Sequence, residues 1–154
     1  MFTIRLAGPE DVPGLKAIAT AAYLPYVQRI GRAPAPLTAD YRATVARGEA
    51  WLATDDAVPV GLIVLVPNPG YLLLENVAVI PSQQGRGIGT WLLRFADERA
   101  RDHGLPEIRL YTNAAMTENI SYYGRHGYTE THRAEHQGFS RVYFSRMVPD
   151  AQTG

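Results

Sequence analysis

The sequence predicts one α/β domain: a mixed, mostly antiparallel central sheet of about seven strands, flanked by helices on both faces. Three observations carry this expectation. The chain has 154 residues and no cysteine, the size of one ordinary domain with a single core and no disulfide framework. Three apolar segments, "EAWLAT", "PVGLIVLVPNP" and "GYLLLENVAVIP", follow one another across short Asp, Pro and Gly turns, the pattern of an antiparallel meander. The remainder then alternates strand, helix, strand and helix before closing on two strands.

Taken in order, "FTIRLA" alternates as a strand. "GPED" opens a helix with acids in its first turn, and Leu15, Ile18, Ala19 and Ala22 form its apolar face. Pro25, Pro34 and Pro36 break the stretch "YLPYVQRIGRAPAPLTADY" into a kinked helix, a loop and a second short helix starting near Thr38. After the meander, a helix from about Gly87 carries Ile88, Trp91, Leu92, Phe95 and Ala96 on one face and ends at Gly104 and Pro106. "EIRLYT" is a strand, "TENISYYGRH" a short helix stopped by Gly127, and the rest a hairpin about Gly138. Residues 1–149 form the domain and 150–154 a flexible tail.

Composition narrows the function. Formal net charge is zero, with no run of like charges, which argues against a general nucleic-acid or membrane-surface binder. The absence of cysteine excludes thiolate catalysis and cysteine-ligated metal. His103, His126, His132 and His136 lack metal-ligand spacing with carboxylates, so no metal is expected, and a helix C-terminus suffices to explain His126. "MFTIRLAGPED" has no signal-peptide pattern and no run of about eighteen apolar residues occurs, so a cytoplasmic protein is the expectation. Lys16 is the sole lysine among the basic residues, which reads as a compositional bias toward arginine.

The segment "VAVIPSQQGRGIGTWLL" poses the central question, because glycine recurs at alternate positions where a strand turns into a helix. A P-loop needs a lysine and a hydroxyl residue after its last glycine, and here Thr90-Trp91 follows Gly89. A dinucleotide fingerprint needs a further glycine where Thr90 stands. Two readings remain. Glycine permits positive φ and close packing, or it bares successive backbone N–H groups that converge on a pyrophosphate at a helix N-terminus. Gln84 and Arg86 would add side-chain donors in the second case, and Arg86 is otherwise a solvated side chain.

Gln84-Gly85-Arg86-Gly87-Ile88-Gly89 resembles the Gln/Arg-x-x-Gly-x-Gly/Ala signature of the GNAT acyl-CoA N-acyltransferases. "IRLAGPEDVPGL" is similar to that family's opening strand and helix, and "NISYYGRHGY" to its late helix, with Tyr128 in place of Phe. The resemblance covers nearly the whole chain. It implies a GNAT-like fold and an N-acetyltransferase that moves an acetyl group from acetyl-CoA to a primary amine of a small molecule by direct attack. A non-catalytic acyl-CoA sensor and an acetyltransferase of protein or peptide amines are the alternatives, and homodimerisation stays open. Carried over residue by residue, Val77, Ala78 and Val79 bind the pantetheine arm by main chain, with the Val79 N–H at the thioester carbonyl. Gln84, Gly85, Arg86, Gly87, Ile88, Gly89 and Thr90 cradle the pyrophosphate. Asn119 matches an asparagine near the cofactor, or serves only as a helix N-cap. Tyr123 matches the tyrosine that protonates the departing thiolate, while Tyr122, one helical step away, faces elsewhere and packs.

An amine is almost wholly protonated at neutral pH, so a base is also needed. Glu75 is the one acid in the apolar stretch Leu72–Ile80. It precedes Val77 by two residues, which places both on one strand face and suggests partial burial. It acts as base directly or through water, or it is a strand-end carboxylate paired to an arginine. In some family members the acid sits where this chain has Leu73. Asn76 faces the other way. Tyr23, Tyr26 and Arg29, with Arg32, form an aromatic and cationic rim for an anionic amine, or a solvated helix face.

Overall fold

A computed structural model describes residues 1–150, so the expected tail lies outside the described residues beyond its first position. The strands are β1 (Phe2–Leu6), β2 (Ala50–Asp55), β3 (Val58–Asn68), β4 (Tyr71–Val79), β5 (Glu107–Asn113), β6 (Thr129–His136) and β7 (Phe139–Met147). The helices are α1 (Val12–Tyr23), α2 (Val27–Ile30), α3 (Ala35–Thr38), α4 (Tyr41–Ala46), α5 (Ile88–Asp102) and α6 (Thr117–Arg125). The sheet runs in the order β1-β2-β3-β4-β5-β7-β6. β4 and β5 pair in parallel, whereas β1–β2, β2–β3, β5–β7 and β6–β7 are antiparallel, so the sheet is mixed and mostly antiparallel as expected. Among the described residues no helix is long and apolar enough to cross a membrane.

The described residues pack as two compact units, Met1–Leu65 with Glu75–Arg94, and Val66–Leu74 with residues 95–150. In the first, Leu15, Leu52, Leu62, Ile63 and Leu92 are fully buried. In the second, Leu72, Leu74, Ile108, Leu110 and Val142 are. Burial at period two along β4 and β5, and at helical spacing on α1, follows from the apolar patterning of the sequence.

Local chemistry sets the boundaries. Asp11 accepts the Gly8 N–H at 2.8 Å and a fork from Arg5 at 2.7 and 2.9 Å, which fixes a 3-10 turn over Pro9–Asp11 ahead of α1. The second short helix starts at Tyr41, not near Thr38, because the Asp40 carboxylate caps it by accepting the Ala43 N–H at 3.0 Å. The proline-rich stretch before it folds into the single turn of α3. At the closing hairpin both turn residues take left-handed backbone, with φ of 52° at Gln137 and 83° at Gly138.

Candidate active site

Along β4 the side chains of Leu72, Leu74, Asn76 and Ala78 are buried, and those of Tyr71, Leu73, Val77 and Val79 half-buried. Glu75 does share the face of Val77. It is exposed, however, and the expectation of partial burial does not hold, because this face is only half covered along its length.

The backbone of the same strand explains what its end offers. The Ile80 N–H donates to the Val60 carbonyl at 3.0 Å, so this parity of the strand points toward β3. By alternation Val77 and Val79 turn their N–H and C=O groups to the opposite edge. There the Val77 carbonyl accepts from the Tyr23 hydroxyl at 3.0 Å, and the Val79 carbonyl from Gln84 Nε2 at 3.2 Å. The register of β4 with β5 covers Leu72 to Leu74, so Val77 and Val79 lie past it. β3 approaches β4 closely, and a Cβ at Gly61 would stand 2.9 Å from the Ala78 carbonyl oxygen and 3.3 Å from Leu92 Cδ1.

After a 3-10 turn over Pro81–Gln83, Gly85 and Gly87 adopt φ of 86° and 83°. No atom lies within 4 Å of where a Cβ would stand at either, so backbone conformation and not packing demands glycine at both. The first intrahelical bond of α5 runs from the Trp91 N–H to the Gly87 carbonyl at 3.0 Å. The N–H groups of Ile88, Gly89 and Thr90 therefore precede it, at the positive end of a 15-residue helix. Such an end suits an anion. The Arg86 guanidinium is engaged elsewhere, at 3.3 Å from Asp55, hydrogen-bonded to Gln83, and 4.8 Å over the Phe2 ring. Phe2, Arg86, Gly87, Ile88 and Trp91 line a cleft of about 430 Å³.

Buried Asn76 is held by two tyrosines. Its Oδ1 accepts from the Tyr23 hydroxyl at 2.7 Å, and its Nδ2 donates to the Tyr41 hydroxyl at 3.1 Å. Tyr41 in turn donates to the Pro36 carbonyl at 2.7 Å, and burial pushes its phenol up to about 12. Farther along the same segment, exposed Arg29 lies 5.1 Å over the Tyr26 ring.

In the second unit, Asn113 shapes the start of α6 by accepting the Ala115 N–H on its side chain and the Met116 N–H on its carbonyl, both at 2.9 Å. Met116 is the N-cap, so Asn119 is not; its Nδ2 lies 3.4 Å from Thr112 Oγ1. Tyr123 is buried among Tyr122, Tyr128 and Phe144, at ring distances of 5.6, 5.9 and 5.8 Å. Desolvation raises its phenol well above the ordinary tyrosine range. Tyr122 is half-buried and lies 4.2 Å from the His126 ring, whose Nδ1 reaches the Tyr122 carbonyl at 2.8 Å at the helix C-terminus. Arg146 Nη1 donates to both oxygens of buried Asp97, at 3.0 and 3.1 Å, and the guanidinium lies 5.5 Å over the Tyr128 ring. Burial outweighs the pull of Arg146 and raises the Asp97 carboxyl. Among the described residues, no group of three His, Asp or Glu is placed to hold a metal ion.

Two residues carried no role in the sequence reading, and each had left a signal. Asn76 is the polar residue in the buried row of an apolar strand, and Gly61 is a glycine inside one.

Residues 15–128 match the model of the acetyltransferase (GNAT) family. An aminoalkylphosphonate N-acetyltransferase of Salmonella typhimurium is 34% identical over 59 residues, 38% of this chain and 38% of that protein. The PaiA N-acetyltransferase of Thermoplasma acidophilum, solved in complex with coenzyme A, superposes with a TM-score of 0.80 at 17% identity, over 96% of this chain and 99% of that one. The ribosomal-protein-S18-alanine N-acetyltransferase of Escherichia coli gives 0.78 at 17% identity, over 99% and 97%. At these identities the superpositions speak to the fold.

Proposed function

The chain belongs to the acetyltransferase (GNAT) family, and from that premise we propose that it transfers an acetyl group from acetyl-CoA to a primary amine of a small molecule. The glycine loop carries this reading. Positive-φ Gly85 and Gly87 deliver the chain into the N-terminus of α5 with nothing crowding their Cβ positions, which suits a pyrophosphate. The edge of β4 beyond the β5 register supports it, since Val77 and Val79 turn their N–H groups outward where an amide-bearing arm pairs in extended form. In this proposal the Val79 N–H stabilises the oxyanion that develops on the thioester carbonyl.

Glu75 takes the proton from the attacking amine, directly or through water. Tyr123 serves the departing sulfur. A thiolate has a pKa of about 8.5, below that of a phenol raised by burial, so full transfer from Tyr123 runs uphill. Its contribution is therefore a hydrogen bond that stabilises the leaving group. Tyr23, Tyr26 and Arg29 face the acceptor, and an aminoalkylphosphonate is the first amine to try, given the Salmonella relative.

Release of coenzyme A thiol from acetyl-CoA, measured against aminoalkylphosphonates, amino acids, polyamines and short peptides, tests the proposal. Turnover with a small amine is the expected result. Turnover with peptides alone overturns the substrate class, and binding without turnover of any amine marks a sensor. With an amine in hand, Glu75→Gln depresses turnover chiefly near neutral pH and recovers in part at high pH, where the amine deprotonates itself. An unchanged pH–rate profile removes Glu75 from the base role.

A further inference from the structure

Asn76 stands in a buried row otherwise filled by Leu72, Leu74 and Ala78. A primary amide in such a row is costly unless both its ends are hydrogen-bonded, and here both are. The polarity of the connection is set at its far end. The Pro36 carbonyl can only accept, so Tyr41 donates to it at 2.7 Å, and the Tyr41 oxygen receives the Asn76 Nδ2 at 3.1 Å. That turns Oδ1 toward Tyr23, whose single hydroxyl proton is shared between Oδ1 at 2.7 Å and the Val77 carbonyl at 3.0 Å. Burial keeps the Tyr41 phenol protonated well into the alkaline range, so the direction of donation persists across working pH. A single hydrogen-bonded chain thus runs from Pro36 through α4 and the buried row of β4 to the end of α1, and back to the strand edge at Val77.

We propose that Asn76 is a positioning residue that ties the acceptor-side segment Tyr23–Pro36 to the main-chain edge of β4, by holding the Tyr23 hydroxyl against the Val77 carbonyl. Leucine would fill the same place beside Leu74 without this link. The residue acts on the acyl donor through Tyr23 and Val77, and this role rests on the reading that the β4 edge binds acetyl-CoA.

The test uses the full chain, with calorimetric titration of acetyl-CoA and backbone amide spectra of Val77 and Val79 taken without ligand. Tyr23→Phe keeps the ring and removes the hydroxyl; Asn76→Leu removes the amide. Each weakens acetyl-CoA binding by about fivefold or more, and the double variant binds no more weakly than the worse single one, since both break the same chain. Both single variants also move the Val77 and Val79 amide signals. Tyr23→Phe keeps the test alive should Asn76→Leu fail to fold. A lowered Tm with unchanged acetyl-CoA affinity and unmoved amide signals marks a structural role and overturns the proposal, as do losses that simply add. If the parent protein binds no acetyl-CoA while the amide signals still respond, the functional reading falls and the link from Asn76 to the strand edge stands.

Discussion

The glycine loop and the Tyr123 cluster are made of opposite materials. From Gln84 to Gly87 the loop is exposed, takes left-handed backbone at Gly85 and Gly87, and presents main-chain groups at a helix end. Around Tyr123 the working parts are side chains: three further aromatic rings pack against it, and the Asp97–Arg146 pair lies behind Tyr128. The difference teaches what each region is sensitive to. The loop responds to φ and to charge, because nothing is packed against its glycines. The cluster responds to volume, and to hydroxyl groups that must find partners in a desolvated place.

Gly87 gives the largest effect and separates the two sensitivities of the loop. At φ 83° most side chains are strained, but Asn and Asp tolerate this region better than others. Gly87→Asn and Gly87→Asp therefore share the backbone cost and differ by one charge. Calorimetry with acetyl-CoA should show the aspartate variant weaker than the asparagine variant by roughly 10²–10³-fold, the scale of a unit charge set near a phosphate at partial exposure. Equal affinities would mean that no anion approaches this helix end.

The cluster is broken by one atom. Tyr123→Phe keeps the packing of the ring and should lower turnover by about 10²-fold with acetyl-CoA affinity retained. Tyr122→Phe should matter less, since that ring is half-buried against His126. Steady-state kinetics on both variants checks the assignment, and a reversed order would move the role to Tyr122. Because burial raises the Tyr123 phenol, no loss of activity near its ordinary value of about 10 should trace to its ionisation.

The legibility of these regions depends on their materials. Glycine marks left-handed backbone, so the strand-to-helix loop is readable from "GRGIG", and the φ of 86° at Gly85 and 83° at Gly87 shows which of its glycines the backbone demands. Strand alternation correctly placed Glu75 with Val77 and Asn76 opposite. Exposure is decided by what covers a face, and period two says nothing of that, so the burial expected for Glu75 was absent. One helix start lies later than the sequence places it, because a local cap decides it. Asp40 caps α4 at Tyr41 by reaching the Ala43 N–H, whereas α6 begins at Thr117, the first residue of "TENISYYGRH", with Met116 as its N-cap. The partners of Asn76 lie 53 and 35 residues away along the chain, a separation that no local pattern encodes.

Gly61 offers a smaller effect on the main-chain side of the comparison. A methyl group there meets the Ala78 carbonyl oxygen at 2.9 Å, and backbone yields less readily than a flexible side chain. Gly61→Ala should cost about 1–3 kcal/mol in denaturant unfolding, the usual penalty of overpacking. Because the clash falls on the strand that leads into the loop, acetyl-CoA affinity should fall with it. Lost stability with full affinity would show that β4 absorbs the push before its outer edge is disturbed.

Tyr128 gives the smallest effect and the sharpest contrast with the loop. Where the family resemblance has phenylalanine this chain has tyrosine, and the residue is buried to 3% exposure. Its hydroxyl is buried and makes no hydrogen bond of good geometry among the described residues; burial pushes the phenol up to about 12 against the opposing pull of nearby Arg146. A buried hydroxyl without a partner costs about 1–3 kcal/mol of desolvation. Phenylalanine keeps the edge-on contact with Tyr123 and the ring beneath the Arg146 guanidinium while removing the orphaned oxygen. Tyr128→Phe should therefore leave the protein as stable or more stable, by up to about 1 kcal/mol. For a chain of this size that is a rise in Tm of roughly 2–4 °C. Thermal melts of parent and variant decide it. A fall in Tm of the same size would mean that the hydroxyl is paired, through water or through Arg146, and that the cluster around Tyr123 is held by a polar contact as well as by packing.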